Sequence, residues 1–211
     1  ATDTDYWTDS IVKTDIKVLA QDQEQMQAGV HSVLGDILVR TQATKFKKLK
    51  YHTNENIGYG DISLPPDEMH TRSTVLLFDP GSPAGRLFDR LGESAKGIVI
   101  QRLGVILRTV APVFLLCDPR DLGVAERVRD PHFEAPCLYI YDQYPGGIGL
   151  AEGFLRDLKR IVRGAREVVD RCPCEHGCPS CVGAPDAEQG SLEAKAEVRM
   201  FLAGWTDTME G

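Results

Sequence analysis

Four of the six cysteines in this 211-residue chain, Cys172, Cys174, Cys178 and Cys181, lie within ten residues. They form a C-P-C pair and a C-x-x-C pair, and Gly177 gives the backbone the freedom to turn the second pair towards the first. Thiolate sulfur is the preferred ligand of structural Zn²⁺, and the two pairs together supply four ligands. The spacing predicts a closed zinc site that stabilises folding and leaves no coordination position for water or substrate.

Other uses of these cysteines fit the spacing less well. Two disulfides between such close neighbours would close small, strained rings, and four unrelated core cysteines would not cluster in this way. An iron–sulfur cluster also takes four thiolates, but the short C-P-C pair and the compact span favour a single ion. His176 lies between the pairs. It could replace one cysteine or contact the ligands from outside, and the sequence leaves this open.

A glycine-rich turn at residues 144–149 forms a second candidate site. Backbone amides of Gly146 and Gly147, followed by a helix N-terminus, can bind phosphate. The spacing does not match a dinucleotide fingerprint, and glycines are also needed where a turn packs tightly against a neighbour. The turn therefore predicts either tight packing or contact with a nucleic-acid phosphate.

Two basic sets could contact nucleic acid. One recurs every three or four residues on a predicted helix and the other surrounds two aromatic residues, so each could follow a phosphate backbone. A solvated helix face explains the first equally well, and lysines that protect an edge strand from aggregation explain the second. The two sets are Arg156, Lys159, Arg160, Arg163 and Arg166, and Lys45, Lys47, Lys48 and Lys50.

Catalytic motifs are absent from the sequence, so we expect no catalytic residue in this chain. Asp67–His70 spells the D-E-x-H letters of a helicase box, but no phosphate-binding loop accompanies it, and we expect a loop or helix start there. No G-x-S-x-G or H-E-x-x-H motif occurs. Cys117 and Cys137 lie in apolar runs, where buried and inert thiols are expected.

Composition is that of a globular protein, with 42% hydrophobic residues and a net charge of −7. This charge argues against a broadly basic nucleic-acid binder but permits local basic patches. We expect no membrane span and no signal peptide, hence no membrane partner and a cytoplasmic protein whose thiols stay reduced. The first residue is Ala1, which indicates either a processed terminus or a fragment of a longer polypeptide.

The elements that must position these residues indicate an α+β fold: an N-terminal antiparallel β meander, a mixed α/β middle, then a long helix, the zinc knuckle and a final helix. The predicted strands are 15–20, 30–41 with a bulge at Gly35, 45–52, 71–78, 113–117 and 137–141, with a polar loop at 118–134. The predicted helices are 83–91 capped by Ser82, 94–110, 149–170, and a last one capped by Ser191 and containing Leu192. We divide the chain into an entry strand or linker (1–13), an accessory region (14–136) and the zinc-binding region (137–211).

The last third resembles the zinc-binding C-terminal domain of helicases like mitomycin repair factor A. The resemblance rests on residues 139–142 and 145–152, both cysteine pairs and residues 192–195, with a weaker likeness at 64–66 and Thr71. It is strong over 137–183 and covers most of 12–203. It implies that the four cysteines hold zinc.

The family implies a C-terminal module of a superfamily 2, ATP-dependent 3′ to 5′ DNA helicase that acts in DNA repair. The ATPase motor lobes are not in this chain, so they would act as partners in cis or in trans, and single-stranded DNA is a possible ligand. Similar domains resemble parts of bacterial antiphage-defence proteins. The alternative is therefore an interaction scaffold that docks on such partners without touching DNA.

Overall fold

The computed structural model describes residues 6–53, 55–184 and 194–209. Within these residues the predicted α+β fold is confirmed. The elements run in the order β1 (Tyr6–Gln27), β2 (Val30–Lys50), β3 (Asn56–Asp61), β4 (Asp67–Leu77), α1 (Pro83–Asp89), α2 (Glu93–Leu115), β5 (Leu122–Arg127), β6 (Cys137–Asp142), α3 (Leu150–Arg171) and α4 (Ala194–Thr208). The predicted Ser191 cap and Leu192 lie outside the described residues.

One antiparallel sheet organises the molecule, in the order β1-β2-β4-β6-β5, with β3 paired to the outer half of β2. β1 and β2 form a long hairpin whose turn residues Ala28 and Gly29 both have positive φ, as a tight two-residue turn requires. The Trp205 indole on α4 donates to the Ala28 carbonyl at 2.7 Å and ties this turn to the helices. β6 lies between β4 and β5, so the predicted regions 14–136 and 137–211 contribute strands to the same sheet. Their boundary stays a prediction.

The hairpin is longer and more continuous than the sequence indicates. The predicted strands 30–41 and 45–52 are one strand, β2, and the entry segment from Tyr6 onward belongs to β1. The register of β1 shifts at Leu19 and Asp22, opposite Gly35. A Cβ on Gly35 would lie 2.0 Å from the Ala20 carbonyl oxygen, so glycine is needed where β1 bulges towards β2. The predicted bulge is present, but its extra residues are on the partner strand.

Two further expectations are wrong. Asp67–His70 is neither a loop nor a helix start, because it opens β4 and pairs with residues 38–41 of β2. The predicted loop 118–134 contains β5, which pairs with β6. Gly123 of β5 lies opposite Tyr141, and a Cβ at position 123 would lie 2.1 Å from the tyrosine ring. Only glycine leaves room for the ring at this position. This glycine hides the strand pattern in the sequence.

The predicted strand 113–117 is also wrong, because α2 continues through Pro112 to Leu115. Val110 and Ala111 are buried, and this packing overrides the missing amide of Pro112. By length and composition alone α2 could cross a membrane, but more than half of its apolar stretch is buried inside the fold. In this fold it is a core helix that contacts α3, α4 and β5.

All four helices of the described ranges contribute to the main core, which they form with one face of the sheet. Leu76, Leu138 and Ile140 of the sheet meet α2 and α3 there, and Phe78, Phe88, Phe201 and Trp205 form an aromatic cluster beside them. A smaller cluster around Tyr139 occupies the other face. α3 therefore has a well-packed base from which its last residue leads into the cysteines.

Candidate metal centre and basic surfaces

The cysteine segment begins where α3 ends. Cys172 caps α3, with its amide donating to the Val168 carbonyl at 3.0 Å. The backbone then reverses at Gly177, whose φ of +122° and close approach to the Gly183 carbonyl exclude a side chain. Cys178 and Cys181 close a tight knuckle in which the Cys181 and Gly183 amides both donate to the Cys178 carbonyl at 3.0 Å. α3 thus fixes the first pair and the knuckle presents the second.

The four cysteine sulfurs lie within 4.8 Å of one another. Four of the separations are 3.4 Å (Cys172 to Cys174), 3.6 Å (Cys172 to Cys178), 3.5 Å (Cys174 to Cys181) and 3.6 Å (Cys178 to Cys181). All four thiols are free, so the disulfide alternative is excluded. Tetrahedral Zn–S bonds of about 2.3 Å place sulfurs roughly 3.8 Å apart, so the four residues fit one zinc ion with little adjustment.

The surroundings of the four sulfurs differ. Burial raises the pKa of Cys181 to about 12. Burial also opposes ionisation of Cys174, but hydrogen bonds with Cys172, Cys181 and Cys178 outweigh it and lower the pKa of Cys174 to about 7. Metal binding to cysteine requires thiolates, so a bound cation would displace the protons that remain on these sulfurs.

His176 lies outside the group of four sulfurs. Its side chain is about half exposed, and Nε2 is 3.8 Å from the Glu175 carboxylate. The cysteines alone supply a full tetrahedral set, so the geometry favours a Cys₄ site over one in which His176 replaces a cysteine.

The basic set on α3 shares one side of the helix, and its members differ in what they contact. Arg156 and Arg160 are mostly exposed and both pair with Asp157, while Arg160 also lies 5.1 Å from the Phe114 ring centroid. Arg163 is exposed. The other two reach α4: Lys159 donates to the Met209 carbonyl at 3.0 Å, and Arg166 contacts Thr206 and Asp207. Arg156, Arg160 and Arg163 thus face solvent, whereas Lys159 and Arg166 join α3 to α4.

The lysine set lies on the outer half of β2, which pairs with β1 on one side and β3 on the other. This segment is not an edge strand, so protection of an edge does not explain its lysines. Side chains alternate along a strand, which puts Lys45 and Lys47 on one face and Lys48 and Lys50 on the other. Lys48 lies over the Tyr6 ring at 5.5 Å, and Lys50 pairs with Glu55 at 3.2 Å. The four lysines therefore form two separate pairs.

The glycine turn already uses its amides within the chain. Gly146 donates to the His70 carbonyl at 2.8 Å and Gly147 to the Tyr144 carbonyl at 3.0 Å. Both have positive φ, and a Cβ on Gly147 would lie 2.4 Å from Cγ of Arg72. These contacts favour the tight-packing interpretation of Gly146 and Gly147 over phosphate binding.

Sequence reasoning missed the residue that caps α3. The Asp142 carboxylate, fully buried at the end of β6, accepts from the amides of Ile148 (2.5 Å), Leu150 (3.2 Å) and Ala151 (2.7 Å). A negative charge at a helix N-terminus is stabilising, and here it occupies the place that an external anion would take. An aspartate directly after an apolar strand and before a glycine turn is the signal that could have revealed it.

Arg72 was also missed. This half-buried guanidinium on β4 pairs with Asp22 of the β1 bulge, with Asp36 of β2 at 3.0 Å and with Glu152 of α3 at 3.0 Å. Although burial opposes its charge, hydrogen bonds to the three carboxylates raise the pKa of Arg72 above its usual value. Arg72 therefore links the hairpin to the start of α3.

Residues 103–182 match the family model described as the MrfA Zn-binding domain. The chain is 33% identical over 200 residues to YprA, an uncharacterised ATP-dependent helicase of Bacillus subtilis, and the match covers 95% of this chain and 26% of the helicase. An uncharacterised protein of Methanocaldococcus jannaschii is 32% identical over 76 residues, which are 35% of this chain and 68% of that protein.

Solved structures of the DUF1998 helicase MrfA are similar to this chain over nearly all of its length. The DNA-bound crystal structure has a TM-score of 0.70 at 32% identity and covers 96% of this chain and 26% of that one. The complex with DNA and AMPPNP has a TM-score of 0.56 at 30% identity, over 95% and 23%. This chain thus spans about a quarter of the length of the helicases that it matches. The zinc prediction is confirmed, because the matched domain is a zinc-binding one and the cluster suits that ion.

Proposed function

The chain belongs to the MrfA Zn-binding domain family, and from this premise we propose that it is the zinc-binding accessory domain of an ATP-dependent 3′ to 5′ DNA helicase that acts in DNA repair in the cytoplasm. Motor lobes supplied in cis or in trans would hydrolyse ATP. The observation that carries the proposal is the group of four sulfurs at the end of α3. It matches the chemistry of the family domain at the residues that the family model covers.

In this proposal Cys172, Cys174, Cys178 and Cys181 hold one structural zinc ion. The ion supplies no catalytic chemistry, since four thiolates close its coordination shell. The cysteines follow α3 directly and precede α4, so the bound ion fixes where the chain goes after α3. The domain would present a rigid surface to the motor lobes and to the DNA strand.

DNA contact is assigned to the solvent-facing arginines of α3, Arg156, Arg160 and Arg163. Lys45 and Lys47 on the hairpin are assigned as a second contact. Solved structures of a similar helicase are bound to DNA, which supports DNA contact by a protein of this kind, and the choice of residues depends on their charge and exposure. Lys159 and Arg166 connect α3 to α4, so they are assigned a smaller contribution to DNA binding.

The test is salt-dependent binding of labelled single-stranded DNA by the zinc-loaded chain. Reversing two charges, Arg160→Glu with Arg163→Glu, should weaken binding and reduce the slope of log K against log salt by about 0.7 for each lost phosphate contact. A matched control reverses the exposed Arg90 and Arg120, which lie outside both basic sets. Equal losses in the test and control variants would contradict the assignment.

A second candidate function, an interaction scaffold without DNA contact, is favoured by one observation. Val113 and Leu116, at the end of α2, have exposed fractions of 72% and 91%, beside an apolar groove that includes Phe114 and Val168. Exposed apolar side chains next to a groove are typical of a protein contact. If the folded, zinc-loaded chain bound no DNA at low salt, this scaffold function would replace the first proposal.

A further inference from the structure

Two cationic side chains are buried in the described parts of the chain, Arg102 of α2 and Lys195 of α4, each with an exposed fraction of 8%. Removing a cation from water is unfavourable unless an opposite charge or a set of acceptors compensates for it. Arginine and lysine are seldom buried without a partner. Both positions therefore need a compensating group.

Both side chains are directed at the cysteine segment. Lys195 Nζ donates to the carbonyl of Cys172 at 2.7 Å and also to the carbonyl of Cys174. Arg102 Nη1 donates to the carbonyl of Val182, the residue after Cys181, at 3.3 Å. Two buried cations from separate helices thus approach the same short loop from two directions.

Neither cation pairs with a carboxylate among residues 6–53, 55–184 and 194–209, and Arg102 Nε has no hydrogen-bond partner there. The fit around Arg102 is close, because a Cβ on Gly183 would lie 2.6 Å from Nη1. Backbone carbonyls satisfy some of the donors but carry no full negative charge. These carbonyls belong to the loop that carries the four clustered cysteine sulfurs, which are negatively charged when ionised.

A zinc ion with four thiolates carries a net charge of −2, and Arg102 with Lys195 carries +2. We propose that these two side chains are the counter-charges of the zinc centre and make it electrically neutral within the fold. This inference depends on the proposed ligand set. It assigns both residues a positioning role: they stabilise the ionised sulfurs through the loop carbonyls and hold α2 and α4 against it.

Zinc affinity distinguishes a counter-charge from a residue that only packs. A residue that only packs stabilises the zinc-loaded and zinc-free chains equally, so its removal leaves zinc affinity unchanged. A counter-charge stabilises the loaded form selectively. Its removal should therefore lower zinc affinity, and a substitution that keeps the charge should restore it.

The experiment measures the zinc dissociation constant by chelator competition for Lys195→Gln, Lys195→Arg, Arg102→Met and Arg102→Lys. Lys195→Gln keeps hydrogen-bond donors but removes the charge. The two neutral variants should bind zinc about 10- to 100-fold more weakly, and the two charged ones should stay within about threefold of the parent chain. Lys159→Met is the matched control, since Lys159 also donates to a carbonyl across α3 and α4 but is exposed and away from the sulfurs.

Circular dichroism with and without zinc shows whether each variant folds, and the charged variants keep the test usable if a neutral one does not. Unchanged affinity in a folded Lys195→Gln and a folded Arg102→Met would overturn the inference, as would an equal loss in Lys159→Met. A parent chain that binds no zinc would instead overturn the proposed ligand set.

Discussion

Asp142 gives a sharp test of how α3 is held. Asp142→Ala removes the acceptor of three amides at the start of α3. The Ala151 amide is buried and would remain unpaired, which costs about 2 kcal/mol, while water can reach the other two amides and limits their loss to about 0.5–1 kcal/mol each. The sum predicts a loss of about 3–4 kcal/mol in the free energy of unfolding. Asp142→Asn keeps one acceptor oxygen but loses the charge at the helix N-terminus, and should lose about half as much.

Urea unfolding of the zinc-loaded chain, followed by the fluorescence of the buried Trp205, measures this difference. Glu167→Ala is the control, because this exposed carboxylate at the other end of α3 pairs with the exposed Arg171 and should change stability by less than about 0.5 kcal/mol. A loss below about 1 kcal/mol for Asp142→Ala, with an unchanged denaturant slope, would show that the reasoning about the buried cap is wrong.

Three further predictions concern the metal, the Arg72 network and the bulge. Cys178→Ser should abolish stoichiometric zinc binding in elemental analysis and lower the melting temperature as much as a chelator does, because it loses several kcal/mol of metal-linked stability, about as in other structural zinc sites. Cys117→Ser is the control and should keep the zinc. If Cys178→Ser melted like its parent, the ligand assignment would be contradicted. Arg72→Met should lower the free energy of unfolding, measured in urea, by about 2–3 kcal/mol, because it leaves three carboxylates close together without their cation. If this loss did not change with salt concentration, the electrostatic explanation would be wrong. Gly35→Ala should lower the free energy of unfolding by about 2–4 kcal/mol, because the new Cβ would lie 2.0 Å from the Ala20 carbonyl oxygen. Gly97→Ala on α2 is the control: its Cβ would enter open space, and it should raise the free energy of unfolding by about 0.5–1 kcal/mol. Equal effects of the two variants in thermal melts would refute the role of the bulge.

The metal centre was predictable from the sequence because its information is local. The spacing of the four cysteines, with a glycine between the pairs, specifies a tetrahedral sulfur site without knowledge of the rest of the fold. The same holds for α1, where Ser82 caps the helix by accepting from the Gly85 amide at 2.9 Å and Pro83 occupies the first turn. Local hydrogen bonding and backbone restriction determine both features.

The parts that could not be predicted depend on distant partners. Arg72 meets carboxylates from three other elements, and nothing near it in the sequence indicates which ones. β5 was not predicted because Gly123, which leaves room for the Tyr141 ring on the neighbouring strand, interrupts the strand pattern in the sequence. α2 continues past Pro112 because the core packs against it. In each case tertiary contacts override the local signal.

The outer half of the β1–β2 hairpin acts mechanically as a lever. From Arg40 to Lys50, β2 pairs with β4 only over its first two residues and reaches roughly 35 Å at the usual rise of a strand. A rotation of about 10° at Arg40, close to where the pairing with β4 ends, would move Lys50 by about 6 Å over that reach. A small change in angle where β2 leaves β4 would therefore become a displacement of several ångströms at the lysine-bearing end of the hairpin.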